Sequence, residues 1–365
     1  MRKWFNIFAA LLSSLFAVSA YLILVIILVF LTGCAPVNES QIDKAPELSE
    51  AISSSAIGPE HTPASSDSLW LPVRKNPVAV GAHDFYAILT DGTLVMWGYQ
   101  GDGPIAEEIP YSNSIRLKDH AVAVYASPRN VTFAIDTDGS LWSINAARFY
   151  GLIDNIDLDM ENEPMKPVKV MDDVSMSAVG QFHSLILKRD GSLWVQGFSR
   201  FGAAWLDKQD SYLVKVMDNV IWTDITAFGG YAITANHELW SWGLSDDGEQ
   251  PKKILDNVAQ ISSSNLVLTD DGELVSLEYD YSTNSFISQK TLLHNAVQCS
   301  AGLAITADGA LWLCGTENQT PQKVGANVLY AAQGDQVILA LHEDGSFWTI
   351  DVSSDSDLHQ ETPLS

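Results

Sequence analysis

Seven stretches of the chain share one pattern: an alternating apolar run, a polar corner, then a second alternating run that usually carries Trp. They read "AILTDGTLVMWG" from 87, "AIDTDGSLWSIN" from 134, "ILKRDGSLWVQG" from 186, "AITANHELWSWG" from 232, "VLTDDGELVSLE" from 267, "AITADGALWLCG" from 304 and "ALHEDGSFWTID" from 340. A period of two on either side of Asp-Gly predicts a β-hairpin, because a type I′ turn needs positive φ at both central residues. The corner residues are Asp91, Asp138, Asp190, Asn236, Asp271, Asp308 and Asp344, so the steps between them are 47, 52, 46, 35, 37 and 36 residues. Recurrence on this scale marks a repeat architecture. In the fourth copy Asn236-His237 stands in for Asp-Gly; both residues enter the left-handed region more readily than most.

A two-residue corner pairs the residue three before the Asp with the residue four after it. One face then holds Tyr86 and Ile88, Phe133 and Ile135, Leu185 and Leu187 and their equivalents, opposite Val95, Trp142, Trp194, Trp240, Val275, Trp312 and Trp348. The other face holds Ala87, Ala134, Ile186, Ala232, Val267, Ala304 and Ala340. Charge is absent from both, so both are expected to be covered. Large side chains on one face and small ones on the other predict that each sheet lies on the next. Seven twisted sheets stacked this way close into a ring. The expected fold class is all-β: a seven-bladed β-propeller of four-stranded antiparallel blades. Residues 69–352 allow roughly 40 per blade, enough for four short strands. Segments such as "KPVKVMDDVSMSAVG" from 166 and "YLVKVMDNVIWTDITAFG" from 212 supply the other strands. The stretch near 69–76 is expected to complete the last blade's sheet, with closure by packing alone as the alternative.

Composition divides the 365 residues into three expected parts. Residues 1–33 hold Arg2 and Lys3, an uncharged apolar run from Trp4 to Phe30, then "LTGC" ending in Cys34. This is the layout of an export signal, and "LTGC" resembles the lipobox of bacterial lipoproteins, with Cys34 as the lipidated residue. An uncleaved membrane anchor is the rival, since the run is long enough to span a bilayer; either way the basic end stays inside. Residues 34–68, rich in Ser, Pro and Glu, read as a disordered tether reaching about 30–35 Å. Residues 69–365 form the propeller, on the exported side of a cell membrane or outer membrane. Removing Arg2 and Lys3 leaves 18 basic residues against 45 acidic ones, a net charge of −27. That balance argues against nucleic acid and favours a soluble monomer.

The third copy, with Gly180, His183, Ser184, Leu185, Leu187, Asp190, Gly191, Leu193, Trp194 and Gly197 in the pattern "G..HSL.L..DG.LW..G", resembles the repeat of the regulator of chromosome condensation family. The resemblance covers about 69–351. It implies a seven-bladed propeller and leaves the His and some glycines of the repeat unmatched in other copies. The nucleotide-exchange activity of that family's best-known member is not carried over to an exported chain. The Gly-Trp-Arg-His-Thr signature of the family's plant ultraviolet receptor is absent, so the Trp residues are read as core.

Chemistry is sparse. The eight His residues are scattered, with no metal-ligand spacing, and no phosphate loop or Gly-x-Ser-x-Gly occurs. The acidic run Asp154, Asp157, Asp159, Glu161 and Glu163 lacks the Gly of a calcium loop. No cofactor and no metal are expected, and the chain is read as a non-enzyme. Cys299 and Cys314 should lie with one strand between them, about 9–10 Å apart, too far for a disulfide. The first three repeat steps are longer because of insertions after the third strands of blades one to three. These carry Tyr99, Tyr111, Arg148, Phe149, Tyr150, Arg200, Phe201 and Trp205. Aromatics and Arg anchor protein interfaces, and insertions in repeat proteins collect on the binding face. A secreted propeller inhibitor of β-lactamases, similar in its repeat, uses loop aromatics in this way. The expected function is a membrane-anchored module that binds an extracytoplasmic protein through Tyr99, Arg148, Phe149, Tyr150, Arg200, Phe201 and Trp205. The alternatives are a structural subunit of an envelope assembly complex, and a hydrolase or glycan-active enzyme with its site at the propeller axis. A further reading is that the loop aromatics pack down onto their own blades.

Overall fold

The corner of each hairpin is a three-residue loop. In the computed structural model, which describes residues 69–363 apart from 82–83, 101–106, 128–130, 145–166, 181–182, 198–212, 227–228, 244–249, 281–284, 315–319, 335–336 and 353–360, Leu89 N–H bonds to Thr93 O and Gly92 N–H to Leu89 O, each at 2.9 Å. Thr90, Asp91 and Gly92 make the loop, and of these Gly92 alone has positive φ, at 83°. This is a type I turn closed by a left-handed Gly. Asp91 is there because its carboxylate accepts the Thr93 N–H at 2.9 Å, and Asp138, Asp190 and Asp344 do the same two residues on. In the fourth copy His237 takes the left-handed position at φ 61°.

The extra loop residue moves the register by one, which corrects the face assignment read from the sequence. Ile88 faces Leu94 and Ala87 faces Val95; Ala134 faces Trp142, Ala232 faces Trp240, and Ala304 faces Trp312. Trp and Ala therefore share one face. The bulky face is made instead by the Tyr, Phe, Leu and Ile pairs together with the residue that opens each third strand, Leu in six blades and Phe347 in the seventh. Leu94, Leu141, Leu193, Leu239, Leu274 and Leu311 are wholly buried, and each contributes about 1.5–3 kcal/mol.

The fold is the expected seven-bladed propeller of antiparallel sheets. Blade two runs Ala121–Ala126, Thr132–Asp136, Leu141–Ser143, Val168–Met171 in hydrogen-bonded order, and blades three to seven repeat that order. Their inner strands are Val174–Val179, Val220–Ile225, Val258–Ile261, Ala296–Ser300 and Val328–Gln333. Blade one begins at Val78–Val80 and has a fifth strand, because Leu94–Gln100 pairs with both Glu107–Ile109 and Ile115–Lys118. The inner strands neighbour one another around the axis, and Val78–Val80 lies beside Val328–Gln333, so the ring is closed. Seven cores fill the seven seams. Tyr86, Ile88, Leu94 and Met96 of blade one meet Val124 and Ala134 of blade two. Leu185, Leu187 and Leu193 of blade three meet Ala232 of blade four. Leu339 and Phe347 of blade seven meet Val78, Ala87 and Val95 of blade one. Large on small is the stacking rule, with Leu, Ile, Tyr and Phe rather than the repeat Trp on the large side. The indoles of Trp142, Trp194, Trp240, Trp312 and Trp348 are only half-buried. A cross-strand Lys lies opposite four of them: Lys169, Lys215, Lys253 and Lys323.

Blades are also tied through backbone. The carbonyl of the tip residue accepts the first N–H of the next inner strand: Gly92 from Ala121, Gly139 from Val174, Gly191 from Val220, His237 from Val258, Gly272 from Ala296 and Gly309 from Val328, at 2.9–3.0 Å. A Cβ at Gly309 would stand 3.3 Å from Asn327 Cα, so Gly serves the close approach as well as the turn.

Closure differs from the expected arrangement. Glu361–Pro363, from the chain's own end, pairs with Phe347–Asp351 and completes blade seven. Residues 69–76 do not join that sheet; they cross the inner strands of blades two to four. The seam between blades seven and one is thus held by packing. Cys314 N–H bonds to Gly302 O, so Cys314 faces Gly302. Both Cys299 and Cys314 are buried and free.

Candidate interaction surfaces at the two ends of the ring

Antiparallel order puts different connections at the two ends. One end carries the loops joining first to second and third to fourth strands. The insertions of blades one to three leave from this end, after Leu94–Gln100, Leu141–Ser143 and Leu193–Gly197. Arg148, Phe149, Tyr150, Arg200, Phe201 and Trp205 lie outside the described residues, as do Cys34, the rest of residues 1–68 and the acidic run 154–163. Tyr99 sits in the third strand of blade one, with its side chain outside the described part. Tyr111 is described, and it packs down. Its ring meets Trp97 edge-on at 4.9 Å and lies 6.4 Å from Phe347, in the seam of blades one and seven, and burial raises its hydroxyl pKa.

The other end carries the hairpin tips and the short connectors between blades. Each connector is two residues long, and the second has positive φ: His120, Asp173, Asn219, Asn257, Asn295 and Asn327, at 58–62°. The tip aspartates make this end strongly acidic. Asp91 is held below the usual carboxylate range by the Thr93 N–H and Asp138 by the Ser140 N–H. Asp271, Asp308 and Asp344 are held low first by the hydroxyls of Thr269, Thr306 and Ser346. These groups keep their charge well into the acid range.

Residues 69–76 form an arm across this end. Asn76 N–H bonds to Val122 O at 3.2 Å, and Asn76 O accepts from Val124 N–H at 2.9 Å. Arg74 N–H bonds to Ser175 O at 2.9 Å, and the Ser175 hydroxyl donates to Pro72 O at 2.7 Å. The Arg74 guanidinium reaches Ile221 O at 2.9 Å and lies 4.6 Å from the centre of the Trp222 ring. Leu71 exchanges bonds with Arg189, whose guanidinium sits 4.7 Å over exposed Trp70. The arm therefore visits blades two, three and four. The hairpin pattern did not point to it; the signal was the one stretch ahead of the first repeat, "LWLPVRKN", that combines apolar residues with two cations.

At the axis, Tyr125 and Asp224 project from the inner strands of blades two and four. Burial raises the Tyr125 pKa, with Arg74 and Asp224 close enough to act on it. Burial raises Asp224 to about 6 against its bonds from Ile225 and Ser263 N–H. Among the described residues, no group of three His, Cys, Asp or Glu side chains could hold a metal ion.

No family model matches the chain. The Ultraviolet-B receptor UVR8 of Arabidopsis thaliana is 23% identical over 225 residues, which cover 56% of this chain and 48% of the receptor; the chain spans about half the length of that relative. Among solved structures it is similar to yeast RCC1 (Prp20) bound to Kap60, at 14% identity and TM-score 0.45 over 79% of this chain and 74% of that one. It is also similar to Prp20p from Saccharomyces cerevisiae, at 15% and 0.43 over 79% and 76%, and to human WBSCR16, at 16% and 0.42 over 81% and 83%.

Proposed function

We propose that this chain, a seven-bladed propeller of regulator of chromosome condensation repeats, is a protein-binding module held by lipid on Cys34 at the exported side of a membrane. The observation that carries the reading is the asymmetry of the ring. All three long insertions leave the same end, after the third strands of consecutive blades. Seven filled seams make the frame rigid, and loops on a rigid frame are where binding residues concentrate. Tyr99, Arg148, Phe149, Tyr150, Arg200, Phe201 and Trp205 supply the aromatic and Arg side chains that such interfaces use. The apolar run before Cys34 supplies export, and the diacylglycerol and acyl chain of a mature lipoprotein supply durable anchoring. The partner is an extracytoplasmic protein.

The test is recovery of a stoichiometric partner from the envelope of the source cell with the full chain as bait. The triple variant Phe149→Ala, Phe201→Ala, Trp205→Ala should lose that partner while keeping its melting temperature. Loss of folding together with binding would make these residues core and refute the interface. Labelling cells with a fatty-acid analogue tests Cys34 separately, since Cys34→Ser should abolish incorporation.

A further inference from the structure

Each inner strand of blades two to seven carries a one-residue bulge next to its start, at Val122, Ser175, Ile221, Ala259, Val297 and Leu329. In blades two, three and four the arm occupies these bulges: Val122 O and Ser175 O accept arm N–H groups, and Ile221 O accepts Arg74. The Ser175 side chain also bonds to the arm. In blades five, six and seven no described donor from the arm or from another blade reaches Ala259 O, Val297 O or Leu329 O. Val297 is 52% and Leu329 46% exposed, and both are among the few large apolar side chains open to solvent. By repeat equivalence they stand where Ser175 meets the arm.

We propose that the half of this mouth that the arm does not cross, on blades five to seven, binds an extended, basic and apolar segment of a partner protein in the manner of the arm. Main-chain groups at an open edge recruit an extended peptide, and side-chain sites beside them set its specificity. The charge of the occupant follows from the neighbours. The tip Asp271-Gly272 is bonded to Ala296, beside Val297, and Asp308-Gly309 to Val328, beside Leu329. Asp271, Asp308 and Asp344 form no ion pair among the described residues; Lys323 acts on Asp308 and His342 on Asp344 from beyond pairing distance, which leaves Asp271 the tip charge most open to a cation. The arm itself brings Arg74 to this end. A second copy of the chain is a poor occupant, since each copy carries −25 and would set like charge against like. This site lies at the opposite end from the long insertions and does not depend on them.

The experiment measures fluorescence anisotropy of a labelled, acetylated and amidated peptide of the arm sequence, LWLPVRKN, with the full chain in detergent. The peptide should bind at low salt and weaken as salt rises. Val297→Lys with Leu329→Lys, both at exposed positions, should weaken it at least about tenfold while the circular dichroism spectrum stays unchanged. Phe149→Ala with Phe201→Ala should not affect it, which separates this site from the insertion loops. Absence of binding overturns the proposal, as does binding indifferent to the two Lys substitutions. So does cross-linking of the peptide to Ser175, which would mean exchange with the arm, or sedimentation showing a dimer that the Lys substitutions dissociate.

Discussion

Gly230 and Leu185 allow the stacking of blades to be tested at a single contact. Gly230 opens the second strand of blade four, and a Cβ built there would lie 2.4 Å from Leu185 Cδ1 of blade three, 3.0 Å from the Trp242 ring and 3.1 Å from Asp224 O. Leu185 is fully buried in the same core as Ala232 and Trp242. Gly230→Ala forces the Leu185 side chain to move within a filled seam, which should cost about 1–3 kcal/mol. Leu185→Ala removes three buried carbons and leaves a cavity, at about 3–4 kcal/mol. The double variant puts the new methyl group into space the leucine has left. Its cost should fall short of the sum by at least about 1 kcal/mol. The relief is partial, because Trp242 and Asp224 O remain close. Urea unfolding followed by Trp fluorescence and circular dichroism gives the four free energies. Additive costs, within about 0.5 kcal/mol, would mean that blades three and four do not meet through these residues, and the account of the seams would be wrong.

Two further predictions concern buried polar groups. Lys118 of blade one lies 3.0 Å from Asp136 of blade two, with both side chains about one-eighth exposed, and the ammonium sits 4.2 Å over the Trp142 ring. Lys118→Met leaves the Asp136 carboxylate without a counter-ion and with only the Trp142 Nε1–H, at 2.9 Å, as a donor among the described residues, and should cost about 2–3 kcal/mol, whereas Lys118→Met with Asp136→Leu should cost less than Lys118→Met alone; urea midpoints decide it, and a double variant worse than the single would refute a buried pair. His183 donates from Nε2 to Gly229 O at 2.8 Å, and its Nδ1 has no partner among the described residues; burial lowers its pKa from 6.5 to about 4. Between those values His183 binds more proton in the unfolded chain than in the folded one, so its contribution to stability is full above pH 6.5 and is lost as pH drops toward 4, by up to about 3 kcal/mol. His183→Gln should remove that loss and leave the opposite trend of Asp224, whose pKa is raised to about 6 and which gains stability as pH falls below that value; an unchanged pH profile of the urea midpoint would refute the assignment. The tip aspartates lose their charge only at lower pH, so the two effects separate.

Blade number, sheet order and the place of the insertions were legible because period-two alternation and Asp-Gly corners recur seven times. Register was not, because Asp-Gly fits both a two-residue and a three-residue loop. The choice depends on whether Asp91 needs positive φ, and hydrogen bonding to Thr93 relieves it of that. A sequence cue did exist: Thr or Ser follows the Gly in four copies, as an Asp-capped turn favours. The half-buried state of the Trp residues was likewise hidden in the outer strands. "VKVMD" occurs twice and places Lys169 and Lys215 opposite Trp142 and Trp194. Closure misled because "LWLPVRKN" resembles the start of a repeat, while "ETP" near the end is short and carries one apolar residue. The thiols are free, as the sequence predicts, since one intervening strand separates Cys299 from Cys314; burial drives the Cys314 thiol up to about 12.

Six tips hand a carbonyl to the neighbouring blade, and among the described residues Gly345 has no such acceptor role. Among the described residues, the junction where the molecule's first and last sheets meet lacks that backbone tie and is fastened by side chains. Thermal opening should begin there, as a bracelet parts at its clasp. Amide protons of Val78–Val80 and Val328–Gln333 should then exchange with solvent before those of blades three and four, and a covalent staple across that gap would raise the temperature at which the whole ring lets go.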